Sequence, residues 1–147
     1  MRVVSAERTD KPNAEIERLN RLYDALRLVN QAIVRLRTRE DLFHEVCRIA
    51  VEYGGFSMAW IGWIDTETQK VVPVSSYGDH TSFLADAPIY ADDRPEGCGP
   101  TGLAIRSGRP YICNDYFNDP ATLLWRGEVK KRRFKASGTF LIRLKNE

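Results

Sequence analysis

At Gly54–Gly55 the hydrophobic period of this chain switches from that of a helix to that of a strand, and the switch constrains the fold more than any other feature. Upstream, "TREDLFHEVCRIAVEYGGF" places Leu42, Val46, Ile49 and Tyr53 at helical spacing, a buried stripe. Thr38 is a good N-cap, Asp41 puts a carboxylate in the first turn as in a capping box, and the glycine pair ends the helix. Cys47 falls beside Phe43, Val46 and Ala50 and reads as a small buried hydrophobe. Downstream, "FSMAWIGWID" (56–65) is apolar on both faces, which predicts a central strand covered on both sides. "DTETQK" turns the chain and "KVVPVSSYG" (70–78) returns, with Pro73 marking an edge strand. The pair is a hairpin.

A hairpin following helices excludes the obvious reading of a second feature. "EGCGPTGLAIRSGRPYICND" (96–115) carries Gly97, Gly99 and Gly102 in the G-x-G-x-x-G spacing of dinucleotide-binding loops. That fingerprint needs a buried strand before it and a helix after it, within a strand–helix–strand unit. Here "YADDRPE" precedes it, charged and interrupted by Pro95, and its carboxylates would repel a phosphate. The spacing is coincidental. The residues read instead as a loop and short helix roofing a small-molecule pocket. On this reading Gly97 and Gly99 supply a tight turn at positive φ, Pro100 opens the helix, and Gly108 closes it. Gly102 permits close approach, and Leu103 and Ile105 face inward.

Residues 1–12 read as a loose tail, and 13–37 as a helix. In that helix Leu19, Leu22, Leu26, Val29, Ile33 and Leu36 recur at steps of three and four, a heptad seam. Either the helix docks on its own domain, or the seam meets a second copy in a homodimer. Residues 38–147 form the domain proper. After the glycine loop the pattern predicts a brief strand at "RPYICND" and a helix over "DPATLLWRGEVKKRRF" (119–134), with Leu123, Leu124 and Val129 as apolar positions. A last strand follows at "SGTFLIRL" (137–144), and one helical turn is expected near "SFLAD".

A chain of 147 residues can bury a core without disulfide staples. No apolar run is long enough to span a membrane, and the N-terminus has no secretory pattern, so a cytoplasmic location is expected. The net charge of +2 hides an acidic "DAPIYADDRPE" (86–96) and a basic "RGEVKKRRFK" (126–135). The basic run reads as a solvated helix face, so no nucleic-acid partner is expected. Cys47, Cys98 and Cys113 fit neither a disulfide framework nor paired zinc ligands. His44 stands three residues before Cys47, a ligating spacing, but His80 is the only other histidine and no metal site is expected.

Taken together, the element order and the wording of several stretches resemble a GAF domain from about residue 20 onward. The specific piece is "GPTGLAIRSGRP", a strand ending Asn114–Asp115, then Asp119–Pro120 and a helix with Trp125. It is similar to the branch found beside PAS, histidine-kinase and diguanylate-cyclase modules in bacterial signalling proteins. The resemblance implies an α+β fold: an antiparallel sheet with helices on one face and a loop- and helix-covered pocket on the other. Trp60, Tyr77, Gly99, Thr101, Tyr111, Asp115, Trp125 and Phe140 are the pocket candidates it implies, with Asp115 alternatively capping a turn. It names no cofactor. The cyclic-nucleotide signature N-K-x-n-F-x-x-x-D-E and the Cys–His pair of phytochromes are absent. Relative to that family, the last strand and C-terminal helix are expected to be missing.

The implied function is a non-catalytic sensory module that binds a small molecule or a protein and signals through helical dimer contacts. One alternative is a reductase of free methionine sulfoxide using Cys98 and Cys113, although Cys98 lies in acidic surroundings and a further family cysteine is lacking. Another is a dimerisation module with a filled pocket.

Overall fold

The computed structural model describes residues 7–78 and 83–143. Its elements are helix α1 (Glu7–Arg35), helix α2 (Arg39–Glu52), strands β1 (Ala59–Ile64) and β2 (Val71–Tyr77), helix α3 (Phe83–Asp86), helix α4 (Pro100–Ser107), strand β3 (Tyr111–Cys113), helix α5 (Arg126–Arg132) and strand β4 (Ser137–Thr139). Two 3-10 segments, Pro95–Gly97 and Pro120–Trp125, precede α4 and α5. The class is α+β, with the strands arranged as two two-stranded sheets, β1–β2 and β3–β4. The chain divides into two compact units: residues 1–61 with 75–78, and 62–74 with 79–147. The division runs across the β1–β2 hairpin, whose strands contribute to both.

In the first unit, α1 packs on α2. The helix begins at Glu7, inside the stretch expected to be a tail; residues 1–6 lie outside the described ones. The heptad seam does not act as one surface. Ala32 is buried and Ala25, Leu28, Val29 and Leu36 are half-buried, a stripe with helical spacing. Leu19, Leu22, Leu26 and Ile33 remain exposed with Ile16, Tyr23 and Val34. The seam therefore splits because a straight 3.6-residue helix drifts relative to a heptad, and Val29 and Leu36 have turned to the buried side.

Helix α2 starts as its sequence predicts. Thr38 Oγ1 accepts from the Asp41 N–H at 3.1 Å and donates to Asp41 Oδ2 at 2.6 Å. Cys47 and Ile49 are buried, whereas Tyr53 is exposed because it is the C-cap and no longer follows the helical stripe. Gly55 takes a left-handed φ of 78°, and the Phe56 N–H reaches back to the Ala50 carbonyl. On the outer surface Arg48 pairs with Glu45 at 2.6 Å and with Glu52, and the Tyr77 hydroxyl donates to Glu52 at 2.7 Å. That last bond ties the end of β2 to α2.

In the second unit, Asp65 organises the hairpin turn by accepting from the Glu67 and Thr68 N–H groups. The start of β2 pairs on its other side with residues 89–91: Val71 N–H donates to Ile89 at 2.8 Å and Ala91 N–H to Gln69 at 2.8 Å. The next N–H on that edge would belong to residue 73, which is proline, so the ladder stops. Pro73 thus sits at an edge, as expected. β1 does not become a central strand: among the described residues it pairs with β2 alone, and Trp63 is exposed. Apolar residues on both faces of a strand supply packing surface, not a hydrogen-bonded neighbour.

β3 and β4 pair antiparallel, with Tyr111 opposite Thr139 and Cys113 opposite Ser137. β4 is shorter than the strand expected over 137–144; Phe140 and Ile142 are exposed and residue 144 lies outside the described residues. The helix expected over 119–134 is a 3-10 turn followed by α5, because Asp119 caps it and Pro120 opens a tighter spiral. Leu123 and Leu124 are consequently exposed, and the Val129 side chain lies outside the described set. The unit's core is Val71, Phe83, Ala87, Ala91, Ala104, Cys113, Tyr116, Thr122 and Trp125, with Phe83 edge-on to Phe134 at 5.5 Å.

Candidate functional site

The site is built around the N-terminus of α4. Gly99 is the N-cap, Pro100 occupies the first turn, and Gly108 closes the helix at φ 67° with its N–H on the Ala104 carbonyl at 3.0 Å. The positive φ expected for Gly97 and Gly99 is not there: Gly97 lies in the 3-10 turn, and Gly99 has φ −80°. Their need for glycine is steric. A Cβ on Gly97 would collide with the Asp92 carbonyl, and one on Gly102 with the Gly97 carbonyl. A Cβ on Gly99 would lie 2.5 Å from the Trp125 indole. Three glycines thus let the loop, the helix and the indole ring pack closely together. Gly102 and Ala104 are buried, while Leu103 and Ile105, expected inward, are half-buried.

Arg106 lies one turn after Gly102 on the same face of α4. Its Nη1 donates to the carbonyls of Ala91 at 3.1 Å, Gly97 at 2.8 Å and Asp92. One guanidinium therefore satisfies carbonyls that a non-repetitive loop cannot satisfy within itself. Farther along the loop, Arg94 grips Asp92 through Nε at 2.8 Å and Nη2 at 2.7 Å and lies 4.0 Å from the Tyr90 ring centroid. The hydrogen bonds from Arg94 hold the Asp92 carboxyl below the usual carboxylate range.

Below this loop, Asp86, Ala87, Pro88, Glu96, Leu124 and Trp125 line a half-open hollow of about 190 Å³. Sites for drug-sized ligands occupy roughly 300–1,000 Å³, so this hollow suits only a smaller guest. Trp125 is buried and forms one wall.

A second polar cluster joins β3 to the following 3-10 turn. The Tyr111 hydroxyl donates to both Asp119 oxygens, at 2.9 and 3.0 Å, and the Ala121 N–H donates at 2.9 Å. Burial raises the Asp119 carboxyl, but bonds from Ala121, Tyr111 and the Cys113 thiol outweigh it and leave it below its ordinary value. Burial, reinforced by Asp119, pushes the Cys113 thiol up to about 11. Thr122 is buried and donates to the Tyr116 and Asp119 carbonyls. Among the described residues, Arg126 Nε and Ser137 Oγ are buried without a hydrogen-bond partner.

Of the predicted pocket residues, Gly99 and Trp125 meet. Thr101 is half-buried in the first turn of α4. Tyr111 is committed to Asp119, and Phe140 is exposed. Asp115 caps its own turn, accepting from Phe117 N–H at 3.1 Å and from the Asn118 side chain at 2.6 Å. Trp60 and Tyr77 belong to the first unit; Trp60 is half-buried, and Tyr77 stands edge-on to His44 at 6.0 Å. Glu96, Arg106 and Asp119 were not among the sequence candidates. For Arg106 a signal existed, since it follows Gly102 at the i, i+4 spacing of one helix face. His80 lies outside the described residues, and among those described no three His, Cys, Asp or Glu side chains group as metal ligands.

A family model described as GAF domain matches residues 37–141. Among solved structures, the chain is similar to the crystal structure of the A. Aeolicus nlh2 GAF domain in an inactive state. The two are 20% identical with a TM-score of 0.62, over 90% of this chain and 75% of that one. At that identity the likeness carries the fold alone. No curated protein matches this chain.

Proposed function

The chain belongs to the GAF domain family of signalling sensory modules, and on that premise we propose that it binds a small molecule or a protein partner and passes the event on through helical dimer contacts. The observation that carries this reading is the second apolar face of α1. One stripe of the helix is used against α2, yet Ile16, Leu19, Leu22, Tyr23, Leu26 and Ile33 remain in water. A helix docked solely on its own domain has no reason to keep that face apolar. The seam alternatives are thus not exclusive: one helix serves both surfaces. A helix shared between the domain and a second copy can transmit a change in one to the other.

Thiol chemistry of the methionine sulfoxide reductase kind fits poorly. Nucleophilic cysteines need a lowered pKa, whereas Cys113 is raised to about 11. The Cys98 thiol donates to the Asp93 and Arg94 carbonyls at 3.5 and 3.4 Å.

Sedimentation of a Leu26→Asp, Ile33→Asp variant tests the dimer half of the proposal. Both side chains are exposed, so the variant should fold and sediment as a monomer; a dimer that survives removes α1 from the interface. A metabolite screen read by melting temperature tests the ligand half, since a ligand of the native state must raise it.

A further inference from the structure

Helix α1 carries two overlapping seven-residue repeats, and its exposed face follows the less obvious one. Ile16, Leu19, Tyr23, Leu26, Asn30 and Ile33 succeed one another at steps of three and four, and all six are exposed. In heptad terms Ile16, Tyr23 and Asn30 take the a positions and Leu19, Leu26 and Ile33 the d positions. The other repeat shares Leu19, Leu26 and Ile33 but completes its seam with Leu22, Val29 and Leu36.

Helix α2 decides between them. Buried Ala32 marks the side of α1 that packs on α2. At about 100° per residue, Leu22, Val29 and Leu36 lie within about 80° of Ala32, whereas Ile16, Tyr23 and Asn30 lie about 160–200° around the helix, on its far side. Exposure agrees: Leu22 is 44% and Tyr23 71% exposed, and Val29 and Leu36 are half-buried. The Leu22–Val29–Leu36 line is therefore partly spent on the chain's own domain, while the Ile16–Tyr23–Asn30 line is open to solvent along its length.

The polarity of this face says what covers it. From Ile16 to Ile33 no charged residue occupies an a or d position, although Arg18, Arg21, Asp24 and Arg27 surround them. The one polar position is Asn30. Against an unrelated apolar surface, or in an antiparallel pair where a faces d, a covered Asn30 amide would lose its water and gain no partner. In a parallel, in-register pair it meets its own copy, and a single Asn at an a position specifies strand number and register. With Leu22 and Val34 flanking them, the apolar seam residues expose on the order of 700 Å², close to what one partner gives a standard interface. The relief also suits a helix: an open concavity has Tyr23, Leu26, Arg27 and Asn30 in its lining, the four-residue hole that receives a knob from a facing helix.

We infer that a second copy of the chain docks on this face, parallel and in register, with the two Asn30 side chains hydrogen-bonded to each other. The inference rests on the dimer half of the proposed function and adds the frame, direction and register of the helix pair. Val29 and Leu36 stay with α2, so the domain keeps its helix while the helix holds its copy.

The test is disulfide trapping in a Cys98→Ser background, since Cys98 is the exposed native thiol. Leu19→Cys, Leu22→Cys, Tyr23→Cys and Ile33→Cys are made singly; all four positions are exposed, so each variant should fold. Leu19→Cys and Ile33→Cys should both link to their own counterparts, because parallel in-register strands bring like positions together at both ends. Tyr23→Cys should link about tenfold faster than Leu22→Cys, which only flanks this seam. In sedimentation, Asn30→Ile should tighten association about tenfold and admit further stoichiometries. Trapping at only one of residues 19 and 33, or Leu22→Cys linking as fast as Tyr23→Cys, overturns this inference while the helical dimer stands. Unchanged association of Asn30→Ile overturns it too, because Asn30 is then outside the interface. A chain that sediments as a monomer and traps no disulfide overturns both this inference and the transmission route, and leaves the ligand half of the proposed function standing.

Discussion

Gly99 lies against the Trp125 indole so closely that a Cβ at residue 99 would be 2.5 Å from the ring. The ring is buried and cannot swing aside cheaply. Gly99→Ala should therefore cost about 1–3 kcal/mol, as overpacking does. Gly102→Ala should cost more, because its Cβ meets the Gly97 carbonyl, which is backbone. Denaturant unfolding of both variants checks the order; equal, negligible effects would show that the loop relaxes freely.

Arg106 bonds to three carbonyls of the loop that borders the hollow. Arg106→Ala should lower stability by about 1.5–3 kcal/mol, the range for hydrogen bonds to a charged group. Hydrogen exchange should speed up first in residues 91–97, ahead of α2. Arg106→Lys keeps the charge but not the planar fork, and should recover only part of the loss.

Asp119 is held below the ordinary carboxylate value of about 3.9 by its three donors, against the effect of burial. Its contribution to stability is complete above that value and disappears as pH falls through the lower folded value. Melting temperature should drop on acidification below about pH 4. Asp119→Asn cannot titrate, so its curve should start lower and fall less steeply over the same window. An equal slope in both proteins would assign the acid sensitivity to Asp92, Asp115 or Asp65, whose carboxyls are also lowered.

Of the three free cysteines only Cys98 is exposed. Ellman's reagent should titrate one thiol quickly in the native protein and all three in denaturant. Cys98→Ser should abolish the fast phase. Fast reaction of Cys113 would contradict a buried thiol raised to about 11.

The two faces of α1 should respond oppositely. Ala32→Asp buries an unpaired charge against α2 and should destabilise by about 3 kcal/mol or more. Leu26→Asp, on the exposed face, should leave thermal unfolding of the separated chain almost unchanged and alter its assembly instead. Comparing chemical denaturation with sedimentation separates the two effects.

Local chemistry determined much of this protein. The Thr38 cap, the Gly54–Gly55 stop, the hairpin and its Pro73 edge, and the bounds of α4 between Pro100 and Gly108 were legible in sequence. Each depends on a backbone preference or hydrogen bond within a few residues. The family was legible too, from the wording around "GPTGLAIRSGRP". Tertiary structure decided what those residues face. Only the packed fold shows that Gly99 is small because of Trp125, that Arg106 serves the loop rather than solvent, and that Glu96 borders a hollow. It also divides the α1 seam, turning Val29 and Leu36 with the buried side while Leu19 and Leu26 stay in water. Periodicity gives the angle of a side chain around its own helix. Which neighbour fills that angle depends on residues distant in the chain, and that information exists only after packing.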